Sequence, residues 1–243
     1  MLMNYRPSIR MPELPAAFPM STDSVLLSRF AVLHSGERVC DLGAGVGTLS
    51  MLLSELKPDC SFTGFELSGE AVALSSSVLE ENGFGNVEIR LCDLRESDAL
   101  KTQGKFDAAV SNPPYYPAGS GAAAKNAERM LQRSEATLPL PDLCRAAAGL
   151  LKYGGRFFLV HKPERLADLA FHLRENGLEP KRIRFVKKKA DAAPSLLLME
   201  CRKGGKAGLQ YEKDLVLCKE GGSPSEEYLQ IYGIGENEPC QEP

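Results

Sequence analysis

The chain has 243 residues, 43% of them hydrophobic and 25% charged, which suits one folded α/β domain and excludes both intrinsic disorder and two equal domains. A formal net charge of −3 excludes a globally basic nucleic-acid binder, so any polyanion must be held by a local patch. The N-terminal MLMNYRPSIRMPELP lacks a signal-peptide core and no segment approaches the roughly 20 apolar residues of a membrane span, so the expectation is a soluble cytoplasmic protein with no membrane partner.

Residues 1–20 read as an N-terminal extension, followed by a helical pattern in STDSVLLSRFA at 21–31, with Thr22 as its candidate N-cap. Apolar runs bounded by turn signals then recur at ERVCDLG (37–43), SFTGFE (61–66), NVEIRLCD (86–93), FDAAVSN (106–112), GRFFLVH (155–161), KRIRFVK (181–187) and SLLLMECR (195–202). They predict seven strands. Between them GTLSMLLSEL, SGEAVALSSSVLEENG, PDLCRAAAGLLKYGG and PERLADLAFHLRENG carry apolar residues at helical spacing, several ending at Gly. Alternation of strand and helix predicts a mostly parallel sheet with helices on both faces. The short KKKADAAPS cannot hold a crossover helix, so the last two strands pair antiparallel and one reversed strand is expected at the sheet's end. Residues 117–127 are Gly/Ala-rich and read as a loop, and residues 204–243 as a C-terminal tail with one strand and one helical turn.

DLGAGVGTLS places Gly43, Gly45 and Gly47 between a strand and a helix. Glycines there let a ligand approach the backbone at a helix N-terminus. Thr48 stands where a dinucleotide fingerprint needs its third glycine, and Asp41 would repel a pyrophosphate while attracting the ammonium and sulfonium of S-adenosylmethionine. Glu66 and Asp93 close the second and third strands, where carboxylates can accept ribose hydroxyls and an adenine amine.

The fourth strand runs into NPPYY. Pro113 and Pro114 hold Asn112 and the Pro113 carbonyl in a rigid relation. If Asn112 Oδ1 and that carbonyl each accept one N–H of an exocyclic amine, its delocalised lone pair is freed to attack a methyl group. Tyr115 offers a flat face for a planar base. No general base is required, because the nitrogen becomes acidic only after transfer. The histidines His34, His161 and His172 show no metal spacing, and the seven scattered cysteines contain no Cys-x-x-Cys pair. They read as packing residues; no metal is expected.

DLGAGVG with Glu66, Asp93 and NPPY resembles class I S-adenosylmethionine-dependent methyltransferases that act on amines. STDSVLLSRFA and PLPDLCRAAAGLLKYGGRFFLVH are similar to the bacterial tRNA1(Val) adenine-37 N6-methyltransferase family. The resemblance covers about residues 20–203 and implies a Rossmann-like methyltransferase domain over 21–203. It implies that Thr22, Asp23, Asp41, Gly43, Gly45, Glu66, Asp93 and Asn112 surround S-adenosylmethionine, and that Asn112, Pro113 and Tyr115 hold the target base. RNA, above all tRNA, is the implied partner, with a monomer as the default state. Guanine N2 and a protein glutamine amide present the same flat amine, and a cofactor-binding RNA chaperone that does not turn over is the reading from another class. Tyr116, Arg129 and Arg133 beyond the corner, and Lys187 and Lys188 in PKRIRFVKKK, are candidates for RNA contact. Lysines there would equally protect an exposed sheet edge.

Overall fold

The computed structural model describes Ile9, residues 21–113, Tyr115 and residues 138–233. Its helices are α1 (Thr22–Phe30), α2 (Thr48–Leu56), α3 (Gly69–Glu81), α4 (Ser97–Lys101), α5 (Leu140–Leu150), α6 (Leu166–Glu175) and α7 (Glu226–Tyr232). Its strands are β1 (Arg38–Leu42), β2 (Ser61–Glu66), β3 (Val87–Leu91), β4 (Phe106–Ser111), β5 (Leu151–His161), β6 (Leu178–Lys187), β7 (Pro194–Lys203), β8 (Gln210–Tyr211) and β9 (Leu215–Val216).

The sheet runs β3-β2-β1-β4-β5-β7-β6, with β8 and β9 both paired to β6. β3, β2, β1, β4 and β5 are mutually parallel, and β7 is antiparallel to both neighbours. The reversed strand is therefore interior, not terminal as expected. The α6 crossover from β5 lands β6 one strand-width away, and the hairpin brings β7 back into the gap. Nor is β6 a bare edge, since β8 and β9 cover its outer side in parallel.

Alternate strand residues face opposite layers, as the pleat requires. Val39, Ala108, Phe158 and Leu198 pack with α1, α2, α3 and α7, while Cys40, Ala109, Phe157 and Leu197 pack with α5 and α6. Each fully buried Phe or Leu contributes roughly 1.5–3 kcal/mol relative to exposure. Leu215, Leu217, Tyr228 and Tyr232, from the expected tail, belong to the first of these cores.

Local deviations have local causes. Leu151 takes an extended conformation (ψ 144°) and pairs with Phe106, so LKYGG opens β5 and does not extend the helix. The N-cap of α1 is Ser21, whose hydroxyl accepts from the Ser24 amide; Thr22 is the first helical residue. β3 ends at Leu91, leaving Asp93 just beyond the strand.

Candidate active site

The parallel strands end together. Asp41 pairs with Gly64 and Val110, Glu66 with Leu91, and Ser111 with Leu159, so Asp41, Glu66, Asp93, Asn112 and His161 gather at one carboxyl edge. Open α/β sheets bind ligands there, because the βα turns leave a crevice beyond the strand ends. The Ser111 hydroxyl donates to the Leu42 carbonyl at 2.7 Å, tying the ends of β1 and β4.

The glycine loop turns sharply. Gly43 and Gly45 have φ of 75° and 56°, a region L side chains avoid, and the Gly43 and Ala44 amides donate to the Phe65 carbonyl. Glu66 completes the turn. One carboxylate oxygen accepts from the Gly45 amide and the other from the Ser68 amide, each at 2.8 Å. Each oxygen keeps a further lone pair, so the same side chain that orders the loop can still receive ribose hydroxyls.

Asp41 lies at the base of this loop, 2% exposed, with the Ser50 hydroxyl donating to Oδ2 at 2.9 Å. Burial, reinforced by the nearby Glu66 charge, pushes its carboxyl up to about 7. A carboxylate so placed gains most from a cation brought beside it. Asp93 is bound by Arg95, whose Nε lies 2.8 Å from Oδ1 and whose Nη2 lies 2.6 Å from Oδ2; these bonds hold its carboxyl below the usual range. An adenine amine at Asp93 would share it with Arg95.

At the end of β4, Asn112 Nδ2 donates to the hydroxyls of Ser21 and Ser24 at 3.1 and 3.0 Å. Its Oδ1 receives the Tyr115 hydroxyl, which also lies 2.7 Å from Asp23 Oδ2. Pro113 is buried beside them. The Tyr115 ring meets His161 edge-on, centroids 5.4 Å apart, and Lys162 Nζ sits 5.4 Å from its centre. His161 is buried and its Nδ1 accepts from the Lys162 amide at 2.9 Å, so in the neutral ring the hydrogen is on Nε2. Burial holds its pKa down at about 4, and it is neutral at pH 7.

The structure thus brings together Thr22, Asp23, Asp41, Gly43, Gly45, Glu66, Asp93, Asn112, Pro113 and Tyr115. Tyr116, Arg129, Arg133 and Pro114 lie outside the described residues. Lys187 is on the far strand β6 and pairs with Asp214 at 2.8 Å; Lys188 follows it, exposed. Their basic neighbours are engaged internally: Arg182 with Glu200 and Glu212, Arg184 with Glu227. Four contributors went unnoticed in the sequence. Ser21 and Ser24 were legible as a capping segment, and His161 as the last residue of GRFFLVH; no signal marked Ser50. Among the described residues, no group of three or more His, Cys, Asp or Glu could hold a metal ion.

This arrangement of sheet order, glycine turn and strand-end acids is that of a Rossmann-like S-adenosylmethionine-dependent methyltransferase. Residues 33–203 match the family model described as a methyltransferase domain. The tRNA1(Val) (adenine(37)-N6)-methyltransferase of Parabacteroides distasonis is 30% identical over 185 residues, 76% of either chain. That of Porphyromonas gingivalis W83 is 28% identical over 88% of this chain and 87% of its own. Among solved structures, a predicted O-methyltransferase of Agrobacterium tumefaciens superposes with a TM-score of 0.72 at 19% identity, over 87% of this chain and 95% of that one. The chain belongs to the methyltransferase-domain family, and within it to the tRNA1(Val) (adenine(37)-N6)-methyltransferase family.

Proposed function

We propose that the protein methylates the exocyclic N6 amine of an adenine in tRNA, in the cytoplasm. The relatives are named for that reaction, and one observation carries the reading to this chain: Asn112, locked by two serine hydroxyls at the end of β4, shares an edge with the buried carboxylate of Asp41. No helix among the described residues is long and apolar enough to cross a membrane.

S-adenosylmethionine would supply an electrophilic methyl carbon on a sulfonium, the S–C bond breaking as the carbon is taken and the sulfur leaving as a neutral thioether. The residues fit it: Asp41 offers a buried negative charge to its cationic end, Gly43 and Gly45 let it approach the backbone, Glu66 has lone pairs for its ribose and Asp93 for its adenine. On the acceptor side, Asn112 Oδ1 and the Pro113 carbonyl each take one N–H of the target amine, drawing the nitrogen toward tetrahedral geometry with its lone pair aimed across the crevice. Tyr115 flanks the base, where base–aromatic contacts are worth about 1–3 kcal/mol. The proton leaves to water after the N–C bond has formed. Neutral His161 fits that absence of a strong base.

The test is incubation with labelled S-adenosylmethionine and unmodified total tRNA, followed by nucleoside analysis. Label in N6-methyladenosine supports the reading; label in N2-methylguanosine or only in protein overturns it. Asn112→Ala should lose at least ~100-fold in kcat with cofactor affinity little changed.

A further inference from the structure

The Tyr115 hydroxyl faces two acceptors, Asp23 Oδ2 at 2.7 Å and Asn112 Oδ1, but a phenol carries a single hydrogen. Asn112 cannot supply another, since both its amide hydrogens are directed at Ser21 and Ser24. Asp23 and the Asn112 carbonyl oxygen are therefore served by one hydrogen where two are wanted. A donor entering the crevice completes the set. An exocyclic amine finds both lone pairs of Asn112 Oδ1 open only if the hydroxyl hydrogen goes to the other acceptor; donated to Oδ1, that hydrogen takes one of the two and restricts the directions from which the amine can approach.

Resting on the reading of Asn112 as the holder of the target amine, we propose that Asp23 is a positioning residue: it takes the Tyr115 hydroxyl hydrogen and so leaves Asn112 Oδ1 to the incoming NH2 group. Asp23 is suited to this. It stands in the first turn of α1, 8% exposed, and a buried carboxylate is a stronger acceptor than an amide carbonyl. Its helix is fixed at both of the relevant points, by the Asn112 amide on Ser21 and Ser24 and by the Tyr232 hydroxyl on the Thr22 carbonyl at 3.5 Å. The Tyr115 ring is held from the other side by His161 and Lys162, so the hydroxyl chooses between two acceptors by a small rotation. Without Asp23 the hydrogen belongs to Asn112 Oδ1, and every amine must share that oxygen with it. Asp23 then governs fit of the acceptor base.

The experiment measures steady-state methylation of tRNA and calorimetric binding of S-adenosylmethionine by five proteins: wild type, Asp23→Ala, Asp23→Asn, Tyr115→Phe and the Asp23→Ala/Tyr115→Phe double variant. Asp23→Ala should lower kcat/KM for tRNA by ~10–100-fold, the size expected when a buried hydrogen bond is misdirected. Cofactor Kd should change much less than kcat/KM for tRNA does, because the hydrogen bond removed is to the Tyr115 hydroxyl. In the Tyr115→Phe background, Asp23→Ala should cost less than about twofold more, since the competing hydroxyl is gone. Asp23→Asn, which keeps an oxygen acceptor, should recover most of the loss. An additive cycle, or cofactor affinity falling in step with activity, overturns the proposal. Should Asp23→Ala not fold, Tyr115→Phe alone decides: a lowered KM for tRNA supports competition for Asn112 Oδ1, and a kcat loss above ~10-fold puts the hydroxyl itself in the transfer step and overturns it. A wild-type enzyme that places no methyl on tRNA adenine overturns both this inference and the reading beneath it; adenine methylation with an additive cycle overturns the role of Asp23 alone.

Discussion

Asn112 and Ser24 stand 88 residues apart in sequence and are joined by a 3.0 Å hydrogen bond from the amide of one to the hydroxyl of the other. With the Ser21 contact at 3.1 Å, it decides which way the amide of Asn112 faces. An amide is nearly symmetric in shape, so its orientation is a matter of partners and not of packing.

Replacing both Ser21 and Ser24 by Ala should therefore free the Asn112 side chain to rotate. We expect kcat to fall ~10-fold while S-adenosylmethionine Kd changes little, together with a stability loss of about 1 kcal/mol from the missing N-cap. Single-turnover kinetics and denaturant titration check the two separately. Unchanged turnover would show that the strand end alone orients Asn112.

Asp41 makes stability and cofactor binding respond to pH in opposite senses. Its folded pKa, about 7, lies above the unfolded value of 3.8, so the folded protein holds a proton that the unfolded chain has lost between these values. Stability from this group is present below pH ~4 and is lost as pH rises through 7. A cation beside Asp41 favours the ionised form, so S-adenosylmethionine should bind more tightly as pH rises from 6 to 8, with proton release detectable by calorimetry in buffers of different ionisation enthalpy. Asp41→Asn should be more stable than wild type at pH 8 by about 1–3 kcal/mol and bind the cofactor at least tenfold more weakly.

His161 tilts the same curve the other way. Its folded pKa, about 4, lies below the unfolded 6.5, so the unfolded chain takes up the extra proton; its contribution is complete above pH 6.5 and is lost as pH falls through 4. The two groups offset each other between pH 4 and 6.5. Denaturant midpoints across that range should rise with pH in Asp41→Asn and fall with pH in His161→Gln, relative to wild type. Parallel curves for all three proteins would mean that neither group is protected from water.

Gly64 marks a close approach of β2 to the loop. A Cβ there would lie 2.4 Å from Ile89 Cδ1 and 2.6 Å from Ala44 Cβ, too near for either to remain. Gly64→Ala should cost about 1–3 kcal/mol and displace Ala44, weakening cofactor binding through the glycine turn. Pairing it with Ile89→Ala should restore only part of either, because the Ala44 contact persists.

On β6 and its extension, Arg182 is held by protein partners, whereas Lys188 is a proposed RNA contact. Arg182 bonds Glu200 and Glu212 at 2.8 Å, and its guanidinium lies 3.9 Å from the centre of the Phe30 ring. Arg182→Ala should destabilise by ~3 kcal/mol, leaving two carboxylates uncompensated, with no change in the salt dependence of tRNA affinity. Lys188→Ala should reduce the slope of log affinity against log salt by about 1. The opposite pattern would make Arg182 the phosphate contact.

Much of this was written locally. The period-two and helical patterns located the elements, and Gly43, Gly45 and Asn112 were legible because backbone geometry and amine chemistry each demand particular residue types within a few positions. Strand ends were less certain: β5 begins at Leu151 because pairing with Phe106, not propensity, ends the preceding helix. The place of β7 between β5 and β6 depends on where the α6 crossover lands, which periodicity along the chain does not encode.

By itself, then, the sequence determined the repeating βα order, the glycine turn, the strand-end acids and the proline-stiffened asparagine, all features set by neighbours within one turn or one strand. Only the tertiary structure decided that Ser21, Asp23 and Ser24 meet Asn112 and Tyr115, that His161 backs the Tyr115 ring, and that Tyr232 underlies α1. The physical reason is separation: the hydrogen bonds among those contacts join residues 88 to 210 positions apart, and side-chain hydrogen bonds over such distances follow from how helices settle on a sheet, leaving no periodic trace in either partner's own segment.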